Sequence, residues 1–153
     1  MKSANPVSGA LETALRLLAR RDYTCYELRR RLADKGFNPE EIEEALARLL
    51  GWGYIDERAI ARHAVEEART RRPRGRALVV EELRARGIAE EIIDESLVLY
   101  PPSAEEEAAR AVLTKLGLPS PPPPPDRPRA WRTLLRLGFP PALAARICGI
   151  PEA

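Results

Sequence analysis

Apolar residues recur along this chain at intervals of three and four, and glycines or prolines punctuate the runs. Leu11, Ala14, Leu15 and Leu18 fall on one helical face, and Ile60, Ala61, Ala64, Val65 and Ala68 on another. Such spacing marks amphipathic helices. The start signals agree. Thr24 followed by Glu27, and Asn38 followed by Glu41, each form a capping box, and Asp56 is placed to cap the helix after it. Ser8 is expected to open a first helix running to about Arg20, and Ser103, with Glu106 three residues on, to open a seventh. Pro39, Pro128 and the pair Pro140-Pro141 stand where the first turn of a helix accepts proline.

The pattern then repeats. Gly36, Gly87 and Gly138 are separated by 87 − 36 = 51 and 138 − 87 = 51 residues. A leucine precedes each glycine by four positions (Leu32, Leu83, Leu134), and Phe37, Ile88 or Phe139 follows it directly. Ten residues beyond each glycine lie Leu46, Leu97 and Cys148. The expectation is an all-α chain of three tandem three-helix repeats forming a short curved array. The copies span residues 8–55, 56–102 and 103–149, the last interrupted by a proline-rich linker at 118–128 that reads as a stiff spacer. The third copy has the weakest signals. Trp52 and Tyr54 are expected to pack into the corner between the first two copies.

Composition supports helices, since hydrophobic residues make up 44% of the chain but aromatics only 5%. No apolar run approaches the roughly 18 residues a membrane span requires. Two cysteines give no disulfide framework, the N-terminus lacks a secretory pattern, and a cytoplasmic protein is expected. Net charge is only +2, yet the signs are segregated: Arg69 to Arg76 holds five arginines and no acid, while glutamates crowd the starts of other helices.

At Gly53-Tyr54-Ile55-Asp56-Glu57, with Ala61, an arginine-rich helix end and Gly75 beyond it, the chain resembles the RecX family. Tyr26-Glu27-Leu28, Leu32 with Gly36-Phe37, and Glu82-Leu83 with Gly87-Ile88 fit the same pattern, and the likeness covers residues 10–148. Ile60, Arg74 and the proline run depart from it. The resemblance implies a bacterial regulator that binds the RecA recombinase filament and inhibits strand exchange, ATPase and coprotease activities.

The residues themselves offer no catalyst. No phosphate-binding glycine loop is present, and His63 is the only histidine, so neither a nucleotide site, a metal site nor a triad can be assembled and no cofactor is expected. Cys25 falls in the first turn of a helix, where the dipole favours a thiolate, but it has no partner base.

The arginines carry the candidate chemistry. Arg69, Arg71, Arg72, Arg74 and Arg76 bracket one helix break, Arg20 and Arg21 the equivalent break in the first copy, and Arg29 and Arg30 add charge along the second helix. Stacked copies would align them as a basic track suited to carboxylates or phosphates. Taken with the resemblance, which implies the RecA filament as partner, single- or double-stranded DNA is expected as a further contact. A monomer is expected, because no strong exposed apolar stripe is evident. The alternative is a basic helical DNA-binding protein without a RecA-specific role. Against it, the helix after the first glycine turn begins Pro39-Glu40-Glu41, acidic where a recognition helix would meet DNA.

Overall fold

The computed structural model describes residues 6–151. Nine α-helices, and no strand, occur among them: α1 Pro6–Leu18, α2 Cys25–Asp34, α3 Pro39–Gly51, α4 Glu57–Arg69, α5 Arg76–Ala85, α6 Glu90–Leu97, α7 Pro102–Lys115, α8 Arg127–Arg136 and α9 Pro141–Cys148. The Thr24 and Asn38 capping boxes are both formed, and the Asp56 carboxylate accepts the amide of Ala59. Two caps differ from expectation. α1 begins at Pro6, so Ser8 lies inside the helix. α7 begins at Pro102 after Pro101, which places Ser103 within its first turn: proline's fixed φ starts a helix without a side-chain acceptor.

Gly36, Gly87 and Gly138 all adopt positive φ, at 95°, 79° and 86°, a region that costs any residue with a Cβ. The leucines four residues before them, Leu32, Leu83 and Leu134, are fully buried. The periodic signal thus corresponds to one recurrent corner, a helix delivering its leucine to the core and a left-handed glycine turning the chain.

Helices α1, α2 and α3 pack on one another, as do α4, α5 and α6, and α7, α8 and α9; α4 also packs on α7. The cores are not three. Ala14, Tyr23, Leu28, Leu32, Ile42, Leu46, Leu49 and Ile55 form one hydrophobic cluster. A second runs without interruption from Ile60 to Cys148, through both remaining helix groups. The third group, expected to be the loosest, is therefore fused to the second. The proline-rich stretch is fastened rather than free. Pro122 is buried, Leu118 packs on the core, the Arg127 guanidinium donates to the Pro122 carbonyl (3.0 Å), and Ser120 Oγ donates to Ile147 (3.4 Å).

The joints between groups follow one scheme. At the first, Thr24 Oγ1 donates to the Arg86 carbonyl (2.6 Å) and the Cys25 amide to Glu57 Oε2 (2.8 Å). Fifty-one residues on (24 + 51 = 75, 86 + 51 = 137, 25 + 51 = 76), the Gly75 amide donates to Leu137 (2.8 Å) and the Arg76 amide to Glu105 Oε2 (2.8 Å). In each case the start of one group's middle helix docks on the glycine corner of the next. The first-turn amide is satisfied by a glutamate from the next group's leading helix, which meets the need of an otherwise orphan helix-start donor.

Candidate interaction surface

Helix α4 and the first joint position a cleft of about 680 Å³ between the first and second helix groups. Ile60, Ala64 and Leu83 line it apolarly, and Arg21, His63, Arg72 and Arg86 bring polar groups to it. Arg21 comes from the end of the α1–α2 connection and Arg72 from the break after α4, so folding unites two arginines 51 positions apart in sequence. Arg21 is held over the Tyr23 ring, 3.8 Å from its centre, a cation–π contact that fixes its direction.

The other predicted arginines are dispersed. Arg20 and Arg71 are exposed and have no carboxylate within ion-pair distance among the described residues. Arg72 pairs with Glu67 at 2.8 Å, and this hydrogen bond holds the Glu67 carboxyl below the usual carboxylate range. Arg29 binds Glu43 through two nitrogens, at 2.6 and 3.1 Å, and Arg30 lies over the Tyr26 ring. Arg69 donates to the Leu99 carbonyl (2.8 Å), tying the end of α4 to the corner after α6. Arg76 sits at the second joint, half-buried, beside a separate hollow near Gly138 and Pro140. They form a cleft with outliers, not one straight track.

Arg74 departs most from expectation. It is only 4% exposed, and its guanidinium donates to Glu82 (2.8 Å), Glu67 (3.3 Å) and the Arg72 carbonyl (2.9 Å). Its own carbonyl accepts the hydroxyl of the buried Tyr100 (2.6 Å). Each of its three nitrogens is engaged internally, so Arg74 builds the fold.

Two more expectations change. Trp52 and Tyr54 do not fill the corner: they are 56% and 57% exposed, edge to face with centroids 6.2 Å apart. The corner is closed instead by Ile55, the next residue. The Cys25 thiol is not activated by its helix start. Burial, reinforced by the Glu57 carboxylate, pushes it up to about 11. Arg86 was not anticipated. It grips Glu27 with two nitrogens (2.9 and 3.0 Å), and although burial opposes ionisation, those bonds and the Thr24 amide hold the Glu27 carboxyl below its ordinary range. Its partner lies 59 residues away in sequence, beyond the reach of any local pattern.

Among the described residues no three His, Cys, Asp or Glu side chains converge as a metal site, and no helix is long and apolar enough to cross a membrane. The fold is that of a helical-repeat protein. The comparisons give the family. Residues 10–49 match the model described as RecX, first three-helix domain, and residues 56–97 the one described as RecX, second three-helix domain. A protein of Thermus thermophilus named Regulatory protein RecX is 44% identical over 135 residues, covering 87% of this chain and 85% of the relative. One of Trichlorobacter lovleyi with the same name is 37% identical over 116 residues, 75% of each chain. The chain belongs to the RecX family. The fold agrees with two solved structures. A crystal structure of regulatory protein RecX superposes with a TM-score of 0.79 at 23% identity, covering 94% of this chain and 73% of the other. RecX from Lactobacillus salivarius gives 0.78 at 19% identity, covering 96% and 97%.

Proposed function

We propose that this chain is a non-enzymatic regulator of the bacterial cytoplasm that binds the RecA recombinase–DNA filament and inhibits its strand-exchange, ATPase and coprotease activities. Supporting this reading is membership of a family whose named members are regulatory proteins. The observation that carries it is the cleft between the first two helix groups, with Arg21 and Arg72 at its rim and the unpaired Arg20 and Arg71 beside them in sequence. Guanidinium forks match carboxylates of a protein filament and phosphates of its single- or double-stranded DNA. We treat residues 8–55, 56–102 and 103–149 as successive units of a monomer laid along that filament, each presenting part of one face.

The test is inhibition of RecA ATP hydrolysis on single-stranded DNA. The wild-type chain should slow it. Replacing Arg20, Arg21, Arg71 and Arg72 with alanine should raise the concentration needed by at least about tenfold, since several charge-assisted contacts are lost together. Helical circular dichroism should be unchanged, because none of the four is buried. No effect of the wild type at several-fold excess over the filament would overturn the reading. Arg74 is left out of this set because its loss would unsettle the fold.

A further inference from the structure

The six large hydrophobic side chains exposed among the described residues are Tyr26, Leu50, Trp52, Tyr54, Val98 and Leu99. They are not scattered. Tyr26 and Leu50 line a hollow of about 460 Å³, and Val98 and Leu99 line another of about 200 Å³. Arg58 and Ile92 line both, so the two adjoin. Trp52 and Tyr54 line neither hollow, but they are exposed and fall between Leu50 and Ile55 in sequence, both lining residues of the first. One apolar groove therefore crosses from the first helix group to the corner after α6.

This groove is not the arginine cleft. At about 100° per residue on a helix, Ile60, His63, Ala64 and Glu67 project to one flank of α4, Arg58 and Arg62 to the opposite flank, and Ala61, Val65 and Ala68 into the core between. One helix thus separates two surfaces of different chemistry.

The charges around the groove are unequally engaged. Its carboxylates are used internally: Asp56 accepts the Ala59 amide, Glu57 the Cys25 amide, and Glu95 pairs with Arg58. Two cations beside it are not. Arg30 lies 5.7 Å above the Tyr26 ring, and Arg62 lines the hollow of Val98 and Leu99; neither has a carboxylate within ion-pair distance among the described residues. The apolar side chains Tyr26, Leu50, Ile92, Val98 and Leu99, with the uncompensated Arg30 beside one hollow and Arg62 in the other, are complementary to one occupant. We infer that the groove receives a segment of a partner protein that presents aliphatic or aromatic side chains bracketed by carboxylates. Leu50, Val98 and Leu99 offer nothing to a phosphate, which disfavours nucleic acid. Tyr26, Leu50 and Leu99 are of the residue types that supply binding energy when desolvated, with the arginines as rim.

The test uses the full chain and a synthetic peptide with a leucine–phenylalanine stripe bracketed by glutamates, followed by the fluorescence of Trp52. A Trp52→Phe variant identifies the signal. Binding should shift the emission. The Leu50→Ser/Leu99→Ser double variant should weaken it by at least about tenfold, as expected for central apolar anchors, and a peptide with lysine for glutamate should bind at least about tenfold more weakly. Equal binding of both peptides, or full retention in the double variant with unchanged circular dichroism, overturns the inference. So does an emission shift that follows protein concentration alone with a dimer in sedimentation equilibrium, which would make a second copy the occupant. None of these outcomes depends on RecA, so the groove and the arginine cleft stand or fall separately.

Discussion

At the scale of single residues, the structure separates arginines that serve the fold from those that face outward, a division that charge patterning alone does not reveal. Arg69 to Arg76 reads as one basic cluster, yet Arg74 is enclosed while Arg71 and Arg72 are exposed. What encloses it is Glu82 from the next helix and the carbonyl-seeking hydroxyl of Tyr100, contacts that form only once α5 and α7 are in place. Removing the Arg74 side chain strips Glu82 of its partner and opens a void. Arg74→Ala should therefore destabilise by roughly 1–3 kcal/mol, the cost of leaving such groups unpaired. Arg71→Ala should stay within about 0.5 kcal/mol, as exposed substitutions do. Urea titrations of the two variants make the comparison, and equal midpoints would contradict the assignment. Cys25 allows a second check. With its thiol pushed up to about 11, the thiolate is scarce near neutrality. It should react with an aromatic disulfide about a hundredfold more slowly than a free cysteine thiol at about pH 8, and Glu57→Gln should recover part of the difference. A rate equal to that of free cysteine would show that burial and Glu57 do not act as described.

At the scale of elements, the legible part was the corner and the illegible part the joint. The leucine–glycine–hydrophobic spacing is local in sequence and exposes itself through repetition, so all three corners could be placed before any coordinates. The same holds for Thr24 and Asn38, whose caps are set within three residues. Thr24 nevertheless has a second role that no local signal carries. Its hydroxyl accepts the Glu27 amide at 3.1 Å and donates to the Arg86 carbonyl of the next group. Thr24→Ala should cost more than the ~1 kcal/mol of an ordinary lost cap, because the Arg86 carbonyl, in a part-buried bond, loses its donor too. Asn38→Ala, whose cap is solvent-exposed, should cost about 1 kcal/mol and serves as the reference. Gly87 belongs to the same joint: its φ is +79°, and a Cβ there would overlap the Tyr26 side chain. Trp52 and Tyr54 failed as core predictions for a related reason. Their size suggested burial, but the apolar position of the corner is filled by the neighbouring Ile55.

Across the whole molecule, comparing the two joints separates a polar seam from an apolar one. Glu27 and Arg86 form an ion pair at the first joint. Fifty-one residues on, the corresponding positions are Leu78 and Leu137 (27 + 51 = 78, 86 + 51 = 137). A polar seam leaves the first group with its own core, whereas the second and third groups share one. The chain should consequently unfold in two steps in urea. Leu28→Ala, in the first core, should lower only one midpoint, and Leu113→Ala, in the shared core, only the other, each by roughly 2–5 kcal/mol of its unit's stability. Acid should act on the seam first. The folded-state pKa of Glu27 is depressed, so its contribution is complete above the unfolded value of about 4.3 and is lost as pH falls through the lower folded value. Between those limits the seam loosens while both cores persist. Hydrogen exchange would then show protection falling for the Cys25 amide at the joint before the amides around Leu113. A single transition shifted equally by both leucine variants would mean that the groups fold as one unit, and the polar seam would have no mechanical meaning. Should the seam yield as described, the arginine cleft that spans it gains a variable width. The fused second and third groups would then act as the fixed arm against which the first is set.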